Sequence, residues 1–145
     1  MAKVDFYQLS RDPVERVVPL LAGKALDNGE RLLIVSADSA HRAALSQALW
    51  ERESAFLAHG EVGEPHDARQ PMLLSGDCAA ANGASTVLIA DGTWREAAAA
   101  FDRAILLFAG DRTDEARRLW LALGGQGHAL RIFKQGEGGG WREGR

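Results

Sequence analysis

One cysteine, Cys78, is all the thiol in this 145-residue chain. That excludes an internal disulfide and a cysteine-only metal site, and it suits a reducing compartment. No apolar run approaches the roughly 20 residues that cross a bilayer. The opening residues pass straight into a strand-like run, without the long apolar stretch of a signal peptide. The expectation is a cytoplasmic protein with no membrane association. Phosphate loops are missing too: there is no G-x-x-x-x-G-K-[ST], and no G-x-G-x-x-G follows a strand. No serine sits in a G-x-S-x-G elbow. None of His41, His59, His66 and His128 pairs at i, i+4 with a glutamate between, as a zinc hydrolase needs.

What is present is one domain of ordinary size with 46% apolar residues, enough for a real core. Strand and helix patterns alternate. Apolar or β-rich runs at residues 4–9, 31–36, 55–58, 72–75, 86–90, 104–108 and 129–134 read as strands. Helices fit between them. One is capped by Asp12, opened by Pro13 and ended at Asn28-Gly29, with Pro19 predicted to kink it or shift its start. A second is capped by Asp38 or Ser39 and runs to about Trp50. A brief one covers residues 94–101. The last is capped by Asp111 or Thr113 and ends at Gly124-Gly125. This alternation predicts a three-layer α/β/α domain over residues 1–135, with a mostly parallel sheet like that of a nucleotide-binding fold. A flexible, glycine-rich tail follows over residues 136–145.

The first strand-to-helix turn, Ser10-Arg11-Asp12-Pro13, has no glycine. Asp12 and Glu15 put anions where a helix N-terminus would otherwise hold a phosphate. Cofactors are therefore not expected. The loop at 59–67 holds His59, Glu61, Glu64, His66 and Asp67, so the alternatives there are a metal site and a small hydrolase or nucleotide-dependent enzyme that uses this loop. A plain polar loop fits the same residues. Cys78 has no basic sequence neighbour and reads as buried and inert. No catalytic set of nucleophile, base and oxyanion donor assembles.

Net charge is −3, which argues against a dedicated nucleic-acid binder. From Arg112 onward, however, seven basic residues face four acidic ones. This suggests an anionic partner at the C-terminal end, or simply a solvated helix face. Arg117 and Trp120 are i, i+3 neighbours on one helix. A guanidinium beside an indole suits a peptide that is both acidic and apolar; a buried tryptophan with solvated arginines fits equally. Trp50, beside Glu51 and Arg52, and the nearby Phe56 either form a partner surface or close the core.

Several segments, in order, resemble the chi subunit family of bacterial DNA polymerase III. Asp5-Phe6-Tyr7-Gln8-Leu9 is similar to its F-Y-x-L opening, and Gly29-Glu30-Arg31-Leu32-Leu33-Ile34 to its G-K-R-V-L-I strand. Ala48-Leu49-Trp50 with Phe56-Leu57-Ala58-His59 resembles A-L-W followed by S-F-x-P-H. Phe101-Asp102-Arg103 resembles F-[DE]-R. Ala116-Arg117-Arg118-Leu119-Trp120 and Gly127-His128-Ala129-Leu130 resemble A-R-x-x-[WY] and G-H-x-L. Thr113 stands where the family has a lysine, with Arg112 adjacent and able to substitute. Leu121 stands where a basic residue can occur, and Ala58 replaces the proline.

The resemblance implies a non-enzymatic adaptor on a nucleotide-binding-like fold that binds no nucleotide. Such subunits link the clamp loader, through the psi subunit, to the acidic C-terminal tail of single-stranded DNA-binding protein. That tail ends in aspartates followed by Ile-Pro-Phe. Arg117 and Trp120 match tail-binding positions, and Arg112 and Arg118 are expected to bind the tail with them. Trp50, Phe56 and Leu57 match the surface that meets psi or an equivalent clamp-loader component.

Overall fold

A computed structural model describes residues 2–10, 12–51, 59–61, 63, 71–79, 82–136 and 141–144. Among the described residues, eight strands form one open sheet. In chain order they are β1 (Lys3–Leu9), β2 (Leu32–Val35), β3 (Gly60–Glu61), β4 (Met72–Ser75), β5 (Thr86–Ile89), β6 (Arg103–Ala109), β7 (Ala129–Gln135) and β8 (Trp141–Gly144). The α-helices among the described residues are α1 (Val14–Asp27), α2 (Ser39–Trp50) and α3 (Thr113–Gly125). The strand order is β3-β4-β2-β5-β6-β1-β7-β8. Every pairing is parallel except β8 on β7.

Two apolar layers sandwich the sheet, and strand parity sorts residues between them. On β1, Tyr7 and Leu9 join Val17, Val18 and Leu21 of α1 and Leu45 and Leu49 of α2. Val4 and Phe6 point the other way, to Phe108 of β6 and Ala116 and Leu123 of α3. Helices therefore cover both faces, as expected, which is why Leu32–Val35 is buried throughout.

Several local expectations are corrected. Asp12 does not cap α1. Pro13 holds that position and its carbonyl accepts the N–H groups of Arg16 and Val17, while the Asp12 carboxylate accepts from Gln135 Nε2 at 2.9 Å. Pro19 leaves the helix start at Val14 and lies buried within α1. At the second helix Asp38 does cap, accepting the Ala40 N–H at 2.9 Å. Neither Asp111 nor Thr113 caps α3: a 3-10 turn, Gly110–Arg112, leads in, and Thr113 Oγ1 donates to the Gly110 carbonyl instead. The brief helix after Trp94 is another 3-10 turn, Glu96–Ala100. Gly124 and Gly125 stay inside α3, and the reversal falls at Gly127, whose φ of 84° favours glycine.

Two sheet edges also differ. Gly60–Glu61, expected in a loop, pairs with β4. The strand expected at 55–58 lies outside the described residues. Where a flexible tail was expected, Trp141–Gly144 pairs antiparallel with β7. The physical reason is Trp141, which packs edge-on against Tyr7 at 5.0 Å.

Candidate functional site: a basic, aromatic-floored groove

The first strand-to-helix turn is filled from within. The N–H groups of Ser10 and Asp12 both donate to Gln135 Oε1, at 3.3 and 3.2 Å. Ser10 Oγ donates to the Gln135 carbonyl at 2.7 Å. The backbone donors that a phosphate loop would turn on its ligand serve a buried amide at the end of β7.

The more open feature lies on the other face. Between α3 and strands β1, β6 and β7 runs a groove of about 440 Å³. Its floor is aromatic and apolar: Phe6, Phe108, Trp120 and Ile132. Trp120 meets Phe6 edge-on at 5.2 Å, and Phe6 meets Phe108 likewise at 6.3 Å. Edge-to-face pairs are worth about 0.5–1.5 kcal/mol each beyond burial, so they hold the indole in place. Arg117 of α3 and Lys134 of β7 form the rims, both exposed. Neither has a carboxylate partner among the described residues. Leu121, 74% exposed, stands at the mouth.

The structure thus brings Arg117 and Trp120 together and adds Lys134, which the sequence reading left unassigned. A signal for it existed. Leu130, Ile132 and Lys134 alternate on one strand, so the two apolar residues mark the face on which the lysine lies.

Arg112 is placed elsewhere. Its guanidinium donates to the Asp91 carbonyl at 2.8 Å and to Glu115 at 2.8 and 3.2 Å. It lines a separate cavity of about 150 Å³ beside Gly92 and Trp94. A side chain at Gly92 would collide with it. Arg118 is exposed on α3, one residue around the helix, and is not part of the groove lining.

At the end of α2, Trp50 is 52% exposed. Its ring lies 4.5 Å from that of His59, which is buried with Nε2 at 2.8 Å from Ser46 Oγ. Phe56 and Leu57 lie outside the described residues. His59 and Glu61 of the loop are both engaged, Glu61 by Arg42 Nε at 2.7 Å; Glu64, His66 and Asp67 lie outside the described residues. Among the described residues, no group of three or more His, Cys, Asp or Glu could hold a metal ion. No described helix is long and apolar enough to cross a membrane.

Two groups bear on reactivity. Ser36 Oγ lies 2.8 Å from His41 Nδ1, and His41 Nε2 lies 3.3 Å from Glu15. This serine–histidine–acid chain was not legible in the sequence. Ser36 is fully buried, and its hydroxyl ties the end of β2 to α2. Cys78 is part-buried, and burial pushes its thiol up despite the opposing charge of Arg95. Arg95 is a basic neighbour that the local sequence does not reveal.

Residues 1–131 match the family model of the DNA polymerase III chi subunit, HolC. No curated protein gives a match. The chain belongs to the chi subunit family, whose members are accessory subunits of DNA polymerase III in DNA replication.

Proposed function

We propose that this chi-family subunit is a non-catalytic adaptor whose α3 groove takes the acidic C-terminal tail of single-stranded DNA-binding protein. The observation that carries this reading is the pair of exposed cations, Arg117 and Lys134, that line an aromatic-floored groove and have no carboxylate partner among the described residues. Carboxylates of an incoming tail pair with the cations, while its terminal phenylalanine packs beside Trp120 and Phe6. Charge-assisted contacts of this kind contribute about 1.5–3 kcal/mol each. Part of that is screened, so affinity falls as salt rises. The filled turn at Ser10–Asp12 and the buried Ser36 are in keeping with an adaptor role.

The second contact of the adaptor is the surface around Trp50, meeting psi or an equivalent clamp-loader component. Its support is the half-exposed indole at the far end of α2, held by His59. Large aromatics at such positions often dominate interface energies.

A pull-down tests the reading. Immobilised chi-family chain is expected to retain intact single-stranded DNA-binding protein and to release it as salt rises. A version lacking its last residues is expected to pass through. Equal retention of both versions would remove the tail-binding assignment. In the same assay Trp50→Ala is expected to lose the clamp-loader component while keeping the tail.

A further inference from the structure

From Ile132 onward, β7 and all of β8 lie beyond the residues that match the family model, which end at 131. The register of the two strands pairs Lys134 with Arg142 and Ile132 with Gly144. Directly opposed residues of an antiparallel pair share a face. Lys134 and Ile132 line the groove, so Arg142 and Gly144 stand on the groove side. The alternate residues go the other way: Trp141 packs on Tyr7, and Glu143, the one acid of β8, sits opposite Phe133. The strand therefore sends its positive charge to the groove and its negative charge away from it.

Two like charges directly opposed destabilise an antiparallel ladder. Lys134 and Arg142 are so opposed, both exposed, and neither has a carboxylate partner among the described residues. A bound anion relieves that repulsion. At Gly144 a Cβ would lie 3.3 Å from Ile132 Cγ2 and 3.6 Å from Lys134 Cε, so glycine keeps the floor and the lysine stem uncovered.

We infer that β8 extends the peptide groove, with Arg142 and Lys134 forming a second cationic rim for acidic residues upstream of the ligand's apolar end. This rests on the tail-binding reading above and deepens it. Neighbouring strands are about 4.8 Å apart and an extended chain rises about 3.3 Å per residue. The added strand thus accommodates roughly one or two further peptide residues. An acidic peptide is favoured over nucleic acid because the chain carries a net charge of −3.

The test titrates the full chain with two peptides sharing an Ile-Pro-Phe end, one with aspartates upstream and one with asparagines in their place. Arg142→Ala is expected to weaken the aspartate peptide about two- to fivefold, as for an exposed ion pair, and Arg142→Glu to weaken it further. Neither change is expected to alter binding of the asparagine peptide. Removing residues 137–145 should reproduce the Arg142→Ala effect; because it also removes Trp141, the point variants decide. If the aspartate peptide binds and depends on Arg117 but ignores both Arg142 variants, the extension is wrong and the tail reading stands. If the parent chain binds neither peptide, both readings fall. A single-stranded oligonucleotide that loses affinity on Arg142→Glu while the aspartate peptide does not would hand this rim to nucleic acid and overturn the proposal.

Discussion

Cations lie on both faces of the sheet around β1, and the two faces use them oppositely. On the α1 side Asp5 is buried, and two arginines close on it. Arg103 reaches it at 2.7 and 2.8 Å, and Arg131 at 2.9 Å through both Nε and Nη2. That arrangement ties β6, β1 and β7 together through one carboxylate. On the α3 side Lys134 and Arg117 border an aromatic groove with no carboxylate of their own among the described residues. The lesson concerns charge counting. Seven basic residues lie between Arg112 and the end of the sequence, but Arg131 and Arg112 are already committed to internal partners. What makes a surface receptive is the cation that folding leaves unpaired.

Asp5 carries the largest expected effect. Asp5→Asn leaves Arg103 and Arg131 facing a neutral amide buried on β1. A loss of about 2–3 kcal/mol in urea unfolding is expected, with peptide affinity of the folded fraction unchanged. If stability barely moves, the α1-side arginines are surface charges like the others. Arg117→Ala is the mirror case. Peptide affinity should drop about tenfold or more, while stability stays within about 0.5 kcal/mol. Calorimetric titration and thermal unfolding together check both halves.

Asp91 gives a pH-dependent version of the committed class. Burial alone would raise its carboxyl, but hydrogen bonds from Arg95 and from the N–H groups of Ala37 and Thr93 outweigh it and hold it below its ordinary value. The ordinary value is near 4. The folded form with ionised Asp91 is therefore favoured above that pH, and the contribution is lost as pH falls through the lowered value. Asp91→Asn should be less stable than the parent at neutral pH, and the two should converge in acid. Parallel curves at all pH values would contradict this. The smallest effect is assigned to Arg118. It is exposed beside the groove without lining it, so Arg118→Ala should change peptide affinity less than about twofold.

How much of this was legible depended on locality. The runs at Leu32–Val35, Met72–Ser75 and Thr86–Ile89 were readable because strands covered on both faces are continuously apolar. Asp38 was readable as a cap because its acceptor serves an N–H two residues on. Of the groove, Arg117 and Trp120 were readable as helical neighbours. Of its other wall, the alternation of Leu130, Ile132 and Lys134 gives the face but not the neighbouring strand. Lys134 comes from a strand whose place beside β1 rests on contacts between residues more than a hundred positions apart. The same separation hid the Asp5–Arg131 pair and the Gln135 filling of the first turn. Strand β8 was hidden because a four-residue strand after a glycine-rich stretch has too little pattern, and its anchor is the distant Tyr7. The tight turn after Trp94 was read as a helix because 3-10 and α periodicities differ little over five residues.

Four tryptophans report on four separate places: Trp50 at the end of α2, Trp94 in the small cavity, Trp120 in the groove and Trp141 against Tyr7. The most direct test follows their indole N–H signals by NMR, assigned with single Trp→Phe variants, while an acidic peptide ending in Ile-Pro-Phe is added. The Trp120 signal is expected to move on binding, with those of Trp50 and Trp94 unchanged. A bound peptide that shifts Trp50 or Trp94 and leaves Trp120 in place would contradict the assignment of the groove.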